Sequence, residues 1–182
     1  MAGREQACCS TTREWDGFKW TQVVADSQPG SPPRRALHGL AYDEKRGKVV
    51  LTAGFGGFDA VARKPTTYGD TWEQGGATWR RIDTPGPGAR DHVEMVYAPD
   101  RAAIVLHGGG TAEGGLGGDT WTYDGARWTR LLDNGPRRGR HRLAYDPLGR
   151  RVLLYGGWAP ASQQMTELWE LRANTIAWHR KP

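Results

Sequence analysis

Two cysteines, three methionines and three phenylalanines are all that this 182-residue chain holds of those residues. Cys8 and Cys9 are adjacent, so they supply no disulfide framework, and a lone vicinal pair is not a metal-site signature. No apolar run approaches the ~20 residues that a membrane-spanning helix needs. Met1 to Gln6 contain no apolar core, so no secretory leader is expected there. The hydrophobic fraction is 37% and the mean hydropathy −0.69, which is polar for a globular protein. What is abundant is glycine (26) and tryptophan (nine), a mixture that predicts many short strands joined by glycine turns. The net charge of +5 comes from arginines dispersed along the chain, with no dense basic patch, so nucleic acid is not an expected partner.

The chain repeats itself about every 50 residues. One series of tryptophans is Trp20, Trp79, Trp128 and Trp178; a second, just ahead of it, is Trp72, Trp121 and Trp169. Glycine recurs in phase at Gly54, at Gly108 and Gly109, and at Gly156 and Gly157. Arg35, Arg90 and Arg138 stand at one distance before Tyr42, Tyr97 and Tyr145. Each period reads as four strands. The first alternates (Leu40–Ala41–Tyr42, Met95–Val96–Tyr97, Leu143–Ala144–Tyr145). The second is an apolar run expected to be buried on both faces (Val49–Leu51, Ile104–Leu106, Val152–Tyr155). The third and fourth carry one tryptophan each, with Asp124–Gly125 as a tight-turn signal between them.

An arginine, a histidine three residues on (His38, His141), Tyr-Asp, an apolar strand, paired glycines and two spaced aromatics together resemble the kelch motif. The resemblance covers residues 11 to 182 and implies an all-β fold: four-stranded blades of a propeller arranged around a central channel. Blades are expected at 33–84, 85–132 and 133–182, after an unpatterned tail, 1–10. Residues 11–32 read as the outer hairpin and linker of a preceding blade, because Glu14–Thr21 matches Thr122–Thr129 in register. Three blades and part of a fourth fall short of the ~4–8 that close a ring. The expected partners are therefore the missing blades or a second copy of the chain. Phe55 reads as a replacement for the second glycine of the first repeat, and His92 as a histidine displaced by one residue, with Val93 in its place.

Function follows less directly. The resemblance implies a binding scaffold for a protein or glycan, without catalysis or cofactor. The alternative is a portion of a larger propeller protein, including a kelch-like oxidase or sugar-processing enzyme whose active site lies elsewhere. The copper site of the oxidases needs a cysteine within the repeats, and there is none. The glycine-rich stretch Gly108–Gly118 lacks the Gly-Lys-Ser/Thr ending of a phosphate loop. His38 and His141 are expected to bond to arginine and tie strands together. Arg35, Arg90 and Arg138 are expected either to brace strands or to form an anion-attracting rim. Eight tryptophans are expected in the core. Trp158, off the pattern at a loop start, and Arg63 and Lys64, in the longer loop of the first repeat, are the candidates for partner contact.

Overall fold

The computed structural model describes residues 11–25 and 28–182; the tail with Cys8 and Cys9 lies outside them. Among the described residues the structure is all-β, with two short 3-10 turns at Pro99–Arg101 and Pro160–Ser162. The chain opens on a hairpin of β1 (Thr12–Trp15) and β2 (Trp20–Val24). The first four-stranded sheet is β3 (Gly39–Asp43), β4 (Lys48–Asp59), β5 (Lys64–Gly75) and β6 (Thr78–Ile82). A two-residue strand, β7 (Arg90–Asp91), precedes β8 (Glu94–Ala98) and β9 (Ala103–His107). β10 (Gly110–Thr111) pairs back on β7, and β11 (Thr120–Tyr123) and β12 (Trp128–Leu132) complete the second sheet. The third sheet holds β13 (Arg142–Asp146), β14 (Arg151–Tyr155), β17 (Leu168–Arg172) and β18 (His179–Arg180). Between its middle strands a ribbon of β15 (Trp158–Ala159) and β16 (Gln163–Gln164) projects. All pairing is antiparallel, and each four-stranded sheet is a meander.

Local chemistry sets the turns. At the tips of the β1–β2 and β11–β12 hairpins an aspartate side chain accepts two backbone N–H groups. Asp16 takes those of Phe18 and Lys19, both at 2.9 Å, and Asp124 those of Ala126 and Arg127 at 2.8 and 2.9 Å. The extra residues of the first repeat do not form a loop. They continue the ladder between β4 and β5 out to Asp59 opposite Lys64, with two bulges on the way, so Arg63 and Lys64 sit exposed at the tip of a long ribbon.

The three sheets pack face to face. Val50 and Ala53 of the first meet Met95, Tyr97, Ile104, Leu106, Tyr123 and Trp128 of the second. Ala98 and Val105, on the opposite face of the second sheet, meet Val152, Leu154, Leu171 and Trp178 of the third. Among the described residues only the middle sheet has a four-stranded sheet on each side. Ile104, Val105 and Leu106 are fully buried, whereas Leu153 is half-buried and Tyr155 exposed because none of the described residues lies on the outer face of the third sheet. The same geometry corrects the expectation for tryptophan. Trp72, Trp128 and Trp178 are buried, Trp79, Trp121 and Trp169 half-buried, and Trp15 and Trp20 exposed.

One hydrogen bond recurs at each interface. Trp128 Nε1 donates to Thr71 Oγ1 and Trp178 Nε1 to Thr120 Oγ1, each at 2.9 Å. Beside the second bond His107 spans Thr120 Oγ1 (2.9 Å) and the Pro136 carbonyl (2.8 Å). His141 stands edge-on to it at 5.4 Å. The anticipated histidine–arginine bond is not formed at His141, whose ring nitrogens are both buried without a hydrogen-bond partner among the described residues, whereas His38 bonds to the Arg35 backbone. Burial pushes His107 down to about 4, and burial together with the neighbouring His107 holds His141 well below its ordinary value.

Two outcomes follow. Trp128→Ala removes a buried indole and its cross-sheet bond and is expected to cost about 3–5 kcal/mol, read from urea denaturation. The histidines stay neutral in the fold but gain a proton when unfolded. The contribution of these histidines is therefore constant above pH 6.5 and falls from there towards pH 4, by about 1.4 kcal/mol per pH unit per histidine. Urea midpoints across that range check this, and His141→Leu should flatten the slope.

Candidate functional site

One buried knot is built three times. Arg35 donates to both carboxylate oxygens of Asp70 (2.6 and 2.9 Å) and to the Ala53 carbonyl (2.9 Å). Arg90 repeats this with Asp119 (3.0 and 2.9 Å) and the Gly108 carbonyl (3.0 Å). The indoles of Trp72 and Trp121 donate to the same carboxylates, each at 2.6 Å. In the third sheet Arg138 meets Glu167, which also accepts from Trp169 at 3.3 Å. Burial alone would raise Asp70 and Asp119, but the bonds from arginine and tryptophan outweigh it and hold both below the ordinary carboxylate range. All three arginines are buried and their terminal guanidinium nitrogens bond to carboxylates and carbonyls inside the protein, while Nε of Arg90 and of Arg138 has no partner among the described residues. They form no exposed rim, and the contact role considered for them passes to other residues.

Two residues beyond each arginine the backbone turns left-handed, at Leu37 (φ 59°), His92 (φ 52°) and Arg140 (φ 58°). His92 N donates to the Leu37 carbonyl (2.9 Å) and Arg140 N to the His92 carbonyl (3.2 Å), so main chain joins the three sheets at one end. A left-handed non-glycine residue costs about 1–2 kcal/mol, yet none of the three is glycine. The side chains differ in kind: aliphatic, imidazole and guanidinium. The displacement of His92 noted in the sequence is what brings its ring here, while Val93 takes the core position.

Opposite these residues the paired glycines resolve differently from expectation. Ala53 (φ 64°) and Gly54 (φ 115°) match Gly108 and Gly109, and Gly156 and Gly157. A Cβ on Gly109 would come within 2.5 Å of the Asp91 carbonyl and one on Gly157 within 2.8 Å of that of Gly139, so no side chain fits. Phe55 therefore replaces no glycine. Through the bridges Ala36–Phe55 and Gly139–Trp158 and the pair Gly110–Asp91, it occupies the position of Gly110 and Trp158. Trp158 is thus on the pattern, and Gly110 is the position where the aromatic is missing.

That gap opens a cleft of ≈ 590 Å³ between the second and third sheets. Asp91 Oδ1 lies 2.7 Å from His92 Nδ1, and the other imidazole nitrogen is without a hydrogen-bond partner among the described residues. Across the cleft Arg140 stacks on the Trp158 ring at 5.8 Å and forms no ion pair among the described residues. Trp158 is 41% exposed, and Thr111 and Ser162 complete the polar lining. Arg63 and Lys64 do not line it. The glycine-rich stretch supplies its open rim through Gly110, Gly114 and Gly115. Among the described residues no group of three or more histidine, cysteine, aspartate or glutamate side chains could hold a metal ion. Trp158 was legible in the sequence. Asp91 and Arg140 were not, although aligning Leu37, His92 and Arg140 next to the constant arginine would have exposed one variable position.

No family model and no curated protein matches the chain. Among solved structures it is similar to one titled "Structure of YjhT", with a TM-score of 0.73 at 13% identity. The match covers 90% of this chain and 55% of that one, so the chain spans about half the length of its neighbour. At that identity the likeness is one of fold.

The constant and variable positions should separate in stability. Arg90→Ala leaves the buried Asp119 without its partner and is expected to cost about 3–5 kcal/mol in urea unfolding. Arg140→Ala should stay within about 0.5 kcal/mol, as at a free surface.

Proposed function

We propose that the chain is a kelch-type binding module, its three sheets consecutive blades of a propeller and its contact end the cleft of Asp91, His92, Arg140 and Trp158. The blade reading is supported by three like meanders packed through equivalent faces and by the fold likeness. One observation carries the site. A strained, repeated backbone position whose main-chain bonds serve the fold carries different side chains in each repeat, and strain kept with a side chain points to use of that side chain.

The lining has few polar groups, each with a definite direction, around one flat apolar face, as in a recognition pocket. The free guanidinium suits an acceptor such as an acidic side chain or a hydroxyl pair. The indole face suits the apolar side of a peptide or of a glycan ring. Catalysis has no part in this reading.

The test is selection of ligands for the purified chain from a random peptide library and a glycan array. Each recovered ligand is then titrated against the native chain, Arg140→Ala/Trp158→Ala and Arg63→Ala/Lys64→Ala. The first pair should weaken binding at least about tenfold, roughly 1.4 kcal/mol, and the second should change little. Ligands that bind the cleft variant undiminished would overturn the assignment.

A further inference from the structure

The interface between the second and third sheets differs from that between the first and second at one matched pair of positions. His107 stands opposite Glu94 and Thr120 in the ladder, as Thr52 stands opposite Gly39 and Thr71. His141 follows its buried arginine by three residues, as Val93 does. Where the first interface sets Thr52 and Val93, the second therefore sets two imidazoles, edge-on at 5.4 Å and both fully buried. Thr52 Oγ1 donates to the Asp70 carbonyl at 2.9 Å, and Val93 packs in the apolar core. Neither can take up a proton. His38, at the matching place of the first sheet, lines the cavity beside the hairpin instead.

No free carboxylate among the described residues faces the histidine pair. His107 is faced by Thr120, by Trp178, by the Pro136 carbonyl and by His141. The charges nearest it are Asp119, Arg90 and Arg138, and Asp119 is taken up by Arg90 and Trp121. His141 is faced by His107, Arg138 and Arg142, with both ring nitrogens unbonded among the described residues. A charged imidazole there meets desolvation and like charge together. Glu94, paired with Arg142 and raised by burial, has the opposite sign, since acid favours its buried form.

The two ends of this interface are held differently. At the end of the histidines main chain joins the third repeat to the second. Gly109 N donates to the Arg138 carbonyl (2.7 Å), Gly135 N to that of Gly118 (2.6 Å), Arg138 N to that of Gly117 (3.2 Å) and Arg140 N to that of His92 (3.2 Å). At the far end Arg101 donates to the carbonyls of Arg172 and Thr175, both at 2.7 Å, and Arg150 Nε to Asp100 at 2.8 Å. Bonds from Tyr145 and Arg150 hold Asp100 below the ordinary carboxylate range, so that end keeps its charges in mild acid. We propose that the interface is an acid-opened joint: when the His107–His141 pair takes up protons, the third sheet tilts away from the second about the Asp100–Arg101 end, while the first two sheets stay together. The walls of the cleft, which straddle this interface, then part. Control of binding by acid rests on the reading of the cleft given above; the opening itself does not.

Residue-resolved amide exchange on the full chain in neutral buffer and at about pH 5, corrected for intrinsic rates, is the test. A histidine held at about 4 in the fold against an ordinary 6.5 favours the open form about thirtyfold at about pH 5. The amides of Gly109, Gly135, Arg138 and Arg140 should exchange at least about tenfold faster in acid. That of His92, bonded to Leu37 across the first interface, should change less than about threefold. His107→Thr/His141→Val, which copies the first interface, should abolish the acceleration, and Glu94→Gln should keep it. Nitroxides at Glu113→Cys and Ser162→Cys, in a chain with Cys8→Ser/Cys9→Ser, should move apart in acid and read the cleft walls directly. Equal acceleration at His92, acceleration that persists in the double variant, no acceleration, or a fixed nitroxide distance each overturns the proposal. On the native chain alone, an imidazole resonance of His107 or His141 that titrates while those four amides stay unchanged overturns it as well.

Discussion

A guanidinium removed from water needs a carboxylate to balance its charge, and the three buried arginines impose that condition on the sheets around them. Arg35 and Arg90 are each answered by an aspartate two residues ahead of a tryptophan and by a carbonyl of the second strand or the residue just after it, so one side chain ties two strands together; Arg138 meets Glu167 and the Arg137 carbonyl. The tryptophan that shares the carboxylate is thereby oriented before it packs. The paired left-handed residues beside each clamp then hold their turn because the clamp leaves no freedom to relax it. Sheet, loop and hub follow from one ionic contact repeated three times.

The all-β class and the strand-by-strand plan were legible because they rest on local pattern: alternation, apolar runs and turn residues. The repeat supplied the long-range part, since a marker that recurs in phase has to recur in space. What misled was counting along the chain without the ladder. Phe55 looked like a lost glycine because Ala53 adopts a left-handed backbone that sequence assigns to glycine. Trp15 looked like a core residue because the sheet that would cover it is not deducible from the residue itself.

The cleft was half legible. Trp158 and the shifted His92 stood out as departures from the repeat, and both line it. Arg140 did not, because it sits among Arg137, Arg138 and Arg142, where identity alone cannot separate a buried clamp from an exposed stacking partner. Only the phase of the backbone distinguishes them: Arg138 points into the sheet and Arg140, two residues later and left-handed, does not. Arginine in this chain is thus two residues in physical terms, one whose charge is consumed by the fold and one whose charge is left for something else.

The meander order of the strands bears on how such a chain acquires its structure. Every strand of the three sheets is bonded to its predecessor or successor in sequence, so each sheet closes only short loops and forms with little loss of chain entropy. Long-range order enters when a finished sheet meets its neighbour, with the tryptophan–threonine bond among the contacts made. Because Trp128 and Trp178 reach back to the preceding sheet, a chain emerging from the ribosome finds the acceptor already folded when the donor arrives. Assembly can therefore run in the direction of synthesis, one sheet at a time.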